Sequence, residues 1–236
     1  MKNRSLPVIL CAAVLSVSLL AGCGAKSDKA EGGTVQEQVS EEAGDTEETS
    51  EETGEKSEAS ELNQVDTEEQ LTGKHHAQIV IKDYGTIDVE LDADTAPISV
   101  TNFVKLAEED FYDGLTFHRI IAGFMMQGGD PNGNGTGGSD ETIKGEFSSN
   151  GVENDLSHKR GVISMARSQA PDSASSQFFI MHQDAPYLDG QYAAFGTVTE
   201  GMDIVDEICE KAVPIDSNGL IDTAEQPVIE TIDIID

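Results

Sequence analysis

The feature that most constrains the fold is the grouping of apolar residues into short runs of strand length, separated by glycine-rich turns. In TIDVELD (86–92), Ile87, Val89 and Leu91 alternate with acidic residues. This alternation predicts a strand with one buried face and one solvent-facing face. The other runs of this kind are AQIVIK, TFHRII, FMMQGG, GVISMA, QFFIMH, AAFGTVTEG and PVIETIDIID.

Two segments have helical spacing instead. The segment 94–110 opens with Asp94 or Thr95 as a candidate N-cap and has Pro97 near its first turn. The apolar positions of the two segments are Val100, Phe103, Val104 and Ala107 in the first, and Val205, Ile208, Cys209 and Ala212 in the second. Many strands with glycine-rich turns and only two helices predict an antiparallel barrel or sandwich.

The N-terminus reads as an export signal. Residues 1–23 begin with Lys2 and Arg4, continue through an apolar run that is shorter than the roughly 20 residues of a membrane span, and end in LAGC. This ending resembles the bacterial lipoprotein processing motif, in which cleavage precedes the cysteine and the thiol receives a diacylglycerol. We therefore expect lipidation at Cys23, a membrane anchor and an extracytoplasmic location. An ordinary signal peptidase site is the alternative.

Charge divides the rest of the chain in two. Residues 24–73 contain 16 acidic residues against three lysines and no aromatic residue, which predicts a disordered linker. It could be a tether that holds the next domain off an anionic surface, or a tolerated spacer. Residues 74–236 form the predicted folded domain, with 29 acidic and 9 basic residues. This balance argues against nucleic-acid binding. Cys209, the one cysteine of this domain, is expected to be a small buried residue without a disulfide partner.

One charge stands inside an apolar stretch. Arg119 lies in FHRIIAGFMMQGGD (117–130), which otherwise reads as interior. A buried, unpaired charge is costly, so this arginine either belongs to a structural ion pair or faces a cavity that uses it. His118, beside it, is expected to be a packed or hydrogen-bonded core histidine rather than a base.

Five separated motifs carry a family resemblance. FHRIIAGFMMQGGD, GNGTGG, GVISMAR, SSQFFIMH and YLDGQYAAFG stand in this order, and the domain resembles the cyclophilin-type peptidyl-prolyl cis/trans isomerases from about residue 77 onward. The resemblance implies an eight-stranded antiparallel β-barrel capped by two α-helices. It also implies a catalytic arginine at Arg119, with Gln127 as the polar residue beside it.

The resemblance further implies the substrate-binding residues. They are Phe124, Met125, Phe179 and Leu188 for the proline pocket, and Ala166, Arg167 and Gln177 for the groove that holds the residues before the proline. Two positions depart from the family: Tyr187 stands where tryptophan is frequent, and Tyr192 stands where histidine is frequent. Both keep a ring with a polar tip, so they bear on specificity and on binding of the inhibitor cyclosporin, which we expect to be weak.

The chemistry explains these residue types. Amide resonance gives the Xaa-Pro bond a rotational barrier of about 18–20 kcal/mol, and twisting the bond returns a lone pair to the prolyl nitrogen. A fixed donor aimed at that nitrogen binds the twisted state more strongly than the planar one. Arginine suits this role because its donors lie in a rigid, permanently charged plane. The reaction needs no nucleophile, metal, cofactor or proton transfer.

A calcium loop is the competing interpretation of one segment. DPNGNGTGGSDE (130–141) places Asp130, Asn132, Asn134, Gly135 and Glu141 at EF-hand positions. The flanking segments read as strand and loop rather than as helices, so no metal site is expected here.

The sequence thus predicts an isomerase that acts on proline-containing polypeptides during the folding of exported proteins at the outer face of the cytoplasmic membrane. The enzyme is expected to be a monomer. The rival hypothesis is a proline-peptide binding module with little turnover; Arg119 and the complete pocket favour the enzyme.

Overall fold

The computed structural model describes residues 70–236, and the predictions for residues 1–69, including lipidation at Cys23, lie outside this range. The described part contains eight strands and two α-helices. The strands are β1 Lys74–Ile81, β2 Gly85–Asp92, β3 Thr116–Ile121, β4 Met125–Asp130, β5 Val162–Met165, β6 Phe178–Met181, β7 Ala194–Glu200 and β8 Ile229–Ile234. The helices are α1 Pro97–Glu108 and α2 Met202–Lys211.

All eight strands belong to one antiparallel sheet in the order β3-β4-β6-β5-β7-β2-β1-β8. The sheet curls into a half-barrel. Its two edges meet at one end, where Gly114 N donates to Ile229 O (2.9 Å) and Phe117 N donates to Pro227 O (2.9 Å). The prediction of a mainly β fold with eight antiparallel strands and two helices is confirmed.

The interior of the curled sheet is filled by aliphatic side chains and an aromatic cluster. Phe103 of α1 lies at its centre, with ring centroids 5.2 Å from Tyr112, 5.5 Å from Phe178 and 5.3 Å from Phe195. The predicted apolar face of α1 is buried, as are Val205, Ile208 and Cys209 of α2. Burial of the Cys209 thiol raises its pKa to about 12, which suits a packing residue rather than a reactive one.

The predicted N-cap of the first helix was wrong. Helix α1 starts at Pro97, and Ala96 occupies the cap position without a side-chain bond. The carboxylate of Glu146, from a distant loop, accepts hydrogen bonds from Ile98 N (2.9 Å) and Ser99 N (2.7 Å). A buried carboxylate at a helix N-terminus satisfies free N–H groups and complements the helix dipole, so the cap is supplied by tertiary structure.

Within residues 70–236, no helix is both long enough and apolar enough to cross a membrane.

Candidate active site

Strand register brings the central site residues into one row. Arg119 of β3 pairs with Gln127 of β4, which pairs in turn with Phe179 of β6. Residues directly opposite each other in an antiparallel sheet point to the same face, with Cβ atoms about 4.5–5.5 Å apart. The fold therefore places an arginine, an amide and an aromatic ring side by side on the outer face of the sheet.

The guanidinium of Arg119 is fixed from two sides. Its Nε donates to the main-chain oxygen of Asn218 (2.7 Å), and its Nη1 donates to Oε1 of Gln127 (3.1 Å). Gln127 is itself held, because its Nε2 donates to Oε1 of Gln177 (2.8 Å), and Gln177 Nε2 donates to the oxygen of Gly137 (2.7 Å). Among the described residues these bonds leave Nη2 of the arginine without a partner.

Burial lowers the pKa of Arg119, while attraction to Tyr192 and Asp216 acts in the opposite direction. The usual pKa of an arginine lies so far above neutrality that the guanidinium remains protonated.

Arg119 had two interpretations from the sequence, a member of a structural ion pair or a residue facing a cavity, and the geometry supports the cavity. Arg119 forms no salt bridge within the described residues and borders a pocket.

The apolar pocket next to this arginine has a volume of about 210 Å³. It is lined by Arg119, Phe124, Met125, Gln127, Ala166, Arg167, Phe179, Leu188 and Tyr192. Met125, Phe179 and Leu188 belong to a small hydrophobic cluster separate from the main core, whereas Phe178 points into the main core. The two adjacent phenylalanines of β6 thus face opposite sides of the sheet, as the period of a strand requires.

Tyr187 lies beside this pocket, against the lining residue Phe124. Its side chain is 64% exposed, and its ring stacks on Phe124 with centroids 6.1 Å apart. Tyr192 lies deeper, with its ring edge-on to Phe179 at 5.8 Å. The nine side chains that the resemblance assigned to substrate binding therefore lie in or beside one groove, and Arg119 and Gln127 form its polar wall.

Sequence reasoning missed His182, which anchors the turn that carries Phe124. Its Nδ1 accepts a hydrogen bond from Gly123 N (2.9 Å), its main-chain N donates to Phe124 O (2.9 Å), and its Nε2 lies 3.1 Å from a carboxylate oxygen of Asp206. Arg160 closes this cluster with a bidentate pair to Asp206 at 2.6 and 2.8 Å. These partners are remote in sequence, so no local pattern could have revealed them.

His118 is buried as expected, but neither ring nitrogen has a hydrogen-bond partner among the described residues. Burial lowers the pKa of the His118 imidazole. The nearby carboxylate of Asp130 acts in the opposite direction but is the smaller effect. The ring therefore packs as a neutral group behind the site.

The loop with the calcium-like pattern is organised by its own backbone. Both oxygens of Asp130 accept from main-chain N–H groups, those of Asn132 (2.8 Å), Asn134 (3.0 Å) and Gly135 (2.6 Å). Glu141, at the last position of the pattern, pairs with Lys105 at 3.4 Å. Both carboxylates of the pattern are thus engaged in contacts within the protein.

A held arginine thus stands beside an apolar slot on the outside of a curled antiparallel sheet with two helices. A model of the family described as cyclophilin type peptidyl-prolyl cis-trans isomerase/CLD matches residues 76–234. The chain belongs to this family.

Known proteins agree with this assignment. The chain is 47% identical over 143 residues to a peptidyl-prolyl cis-trans isomerase of Helicobacter pylori, covering 60% of this chain and 84% of that one. It is 48% identical over 124 residues to peptidyl-prolyl cis-trans isomerase B of Bacillus subtilis, covering 52% and 83%.

Among solved structures, a cyclophilin type peptidyl-prolyl cis-trans isomerase of Cryptosporidium parvum superposes with a TM-score of 0.61 at 30% identity. The match covers 70% of this chain and 99% of that one. A second structure of the same protein, in the presence of the dipeptide Ala-Pro, gives a TM-score of 0.60.

Proposed function

We propose that this isomerase acts outside the cytoplasmic membrane on the Xaa-Pro bonds of exported polypeptides, while a lipid on Cys23 anchors it to the membrane. The observation that carries the catalytic part is the guanidinium of Arg119, held at 2.7 Å from Asn218 O and at 3.1 Å from Gln127 at the wall of an apolar pocket. The location rests on the sequence pattern of residues 1–23.

The geometry suits catalysis of bond rotation. The prolyl ring would enter the slot between Phe124, Met125 and Phe179, which shields the amide from water and holds one side of the bond. Nη2 of Arg119 would then donate to the prolyl nitrogen as the bond twists and its lone pair appears. This donor is already in place before the substrate arrives, so little reorganisation is needed at the transition state.

The activity is tested with a short Xaa-Pro peptide, by following cis/trans exchange directly by NMR so that no coupling protease is needed. Uncatalysed exchange takes about 10–100 s, which leaves a wide window for detecting acceleration. Peptide binding without acceleration would identify a binding module and refute the enzymatic function.

The anchor is tested by detergent phase partitioning after expression in a bacterial host. The chain offers a matched control, because Cys11 lies in the same N-terminal segment but outside LAGC. We expect Cys23→Ala to move the protein into the aqueous phase, and Cys11→Ala to remain in the detergent phase. If wild type and Cys23→Ala both partition into the aqueous phase, Cys23 carries no lipid.

The acidic segment 24–73 suits a tether in this setting. With 16 acidic residues against three lysines, it repels itself and any anionic surface. The proposal is that it holds the catalytic groove away from the membrane, where exported chains are accessible.

A further inference from the structure

The groove continues past the proline pocket into a second pocket of about 270 Å³. Gln127, Ala166 and Arg167 line both pockets, so the two share a wall. An extended peptide advances about 3.3 Å per residue, so a substrate with its proline in the first pocket places a neighbouring side chain over the second.

The second pocket is polar. Apart from the shared wall it is lined by Gly135, Thr136, Gly137, Ser168, Ser173, Ser175 and Gln177. This lining contains small hydroxyl and amide groups and no large apolar side chain. It therefore suits a polar side chain of the substrate, in contrast to the aromatic and thioether walls of the proline pocket.

The charges of the groove differ from those of its surroundings. The lining of the two pockets includes no aspartate or glutamate, and its only charged side chains are Arg119 and Arg167. Residues 74–236 as a whole carry 29 acidic against 9 basic residues. The groove is thus a cationic strip on a strongly anionic domain.

Arg167 is immobilised without being neutralised. Its guanidinium carbon lies 4.9 Å from the ring centroid of Phe147 and 4.8 Å from that of Tyr192, so the group is in cation–π contact with two rings. Its Nε donates to Gln191 O (2.9 Å) and its Nη1 to Ser168 O (2.9 Å), both neutral acceptors.

Arg160 provides the contrast. Its charge is matched by the bidentate carboxylate of Asp206, whereas Arg167 takes part in no salt bridge of residues 70–236. A fixed and uncompensated guanidinium at the edge of a polar pocket is a suitable partner for a carboxylate.

We propose that the second pocket is a subsite for an acidic side chain, in which Arg167 pairs with an aspartate or glutamate close to the substrate proline. This proposal rests on the isomerase function for its substrate, and it names a preference that the apolar pocket alone does not provide. Because Arg167, Ala166 and Gln177 belong to the part of the groove assigned to residues before the proline, the acidic residue is expected on that side.

The test is a set of peptides with glutamate, glutamine or lysine at each of two positions before the proline and at one position after it. At low ionic strength the ratio of kcat/KM for glutamate over glutamine should reach about two- to fivefold at a position before the proline, as for a partly exposed ion pair. It should fall towards one as salt is added, and lysine should be disfavoured. A ratio of one at every position would overturn the proposal.

Variants assign the preference to one residue. Arg167→Asn should bring the glutamate-to-glutamine ratio close to one, and Arg167→Lys should retain part of it. Lys211→Gln removes the same charge from the exposed end of α2 and should leave the ratio unchanged. If the glutamate-to-glutamine ratio falls equally in Arg167→Asn and Lys211→Gln, the overall charge of the domain is responsible and the proposal is refuted. An unchanged ratio in Arg167→Asn would also refute the role of the pocket.

Peptide binding, measured by fluorescence anisotropy alongside turnover, separates this proposal from the proposed function. Tighter binding of the glutamate peptide without turnover of any peptide would support the subsite and refute the isomerase function. Turnover without any effect of glutamate on binding or rate would leave the isomerase function standing and refute the subsite.

Discussion

Substitution of Arg119 is the most direct probe of the proposed chemistry. In Arg119→Ala the donor to the prolyl nitrogen is lost, together with the bonds to Asn218 O and Gln127 Oε1. A hydrogen bond from a charged group contributes about 1.5–3 kcal/mol, and each 1.36 kcal/mol is a factor of ten in rate. The lost bond alone therefore predicts a fall of roughly 10- to 150-fold.

Oε1 of Gln127 loses its donor as well and only the bond from its Nε2 to Gln177 remains, so the groove wall becomes less well positioned. We therefore expect kcat/KM to fall by about one to three orders of magnitude. Arg119→Lys keeps the charge but cannot reproduce the planar fork that reaches both Asn218 and Gln127 while leaving a donor free. It should lose at least about tenfold.

NMR exchange of an Xaa-Pro peptide measures the effect, and thermal unfolding reports whether each variant remains folded. Lys211→Ala is the matched control, since it removes one positive charge outside the groove and should keep the wild-type rate. A folded Arg119→Ala protein with nearly wild-type kcat/KM would refute the role of this guanidinium.

Three further predictions follow from other contacts of the groove. Tyr187→Trp should tighten cyclosporin binding several-fold and change kcat/KM by less than about threefold, because this exposed ring stacks outside the proline pocket; an equal change in inhibition and turnover would contradict it. At His182, an asparagine can still accept the hydrogen bond from Gly123 N, whereas a glutamine retains only the contact with the carboxylate of Asp206. In a peptide titration, the KM of His182→Asn should therefore lie closer to the wild-type value than the KM of His182→Gln. Burial raises the pKa of Asp130, but hydrogen bonds from three backbone N–H groups outweigh it and lower the pKa overall. The ionised carboxylate therefore stabilises the fold at neutral pH, and this stabilisation is lost as pH falls below about 4. Asp130→Asn should unfold at a lower denaturant concentration than wild type at pH 7 and differ less from it in acid.

Local patterns predicted most of the secondary structure, whereas the residues of the groove were implied by the family resemblance. The alternation around Ile87 and the helical spacing around Phe103 depend on neighbours in sequence, and both positions are buried in the structure. The motif residues came together because register places Arg119, Gln127 and Phe179 in one cross-strand row.

Contacts between distant segments were beyond sequence reasoning. The helix cap came from Glu146, 47 residues from its partner Ser99, and the support of the Phe124 turn came from His182, 59 residues from Gly123. Such contacts depend on which strands become neighbours, and the order of the sheet has no counterpart in any periodic pattern. The local candidates Asp94 and Thr95 precede the cap position, which is Ala96, and both are engaged elsewhere. Asp94 Oδ1 accepts from Gly73 N (2.8 Å), and Thr95 Oγ1 donates to Asp92 Oδ2 (2.9 Å).

The way Arg119 is held connects a loop far along the chain to the candidate active site. One side of its guanidinium is fixed by the main-chain oxygen of Asn218, and Oδ1 of Asp216 accepts from the backbone N–H groups of both Asn218 and Leu220. The donor that we propose for the prolyl nitrogen is therefore positioned by a turn whose shape depends on the carboxylate of Asp216 rather than on the arginine itself. Since a donor contributes to rate only if it is oriented before the amide twists, the 216–220 turn and the amide of Gln127 share the work of keeping the guanidinium in one orientation.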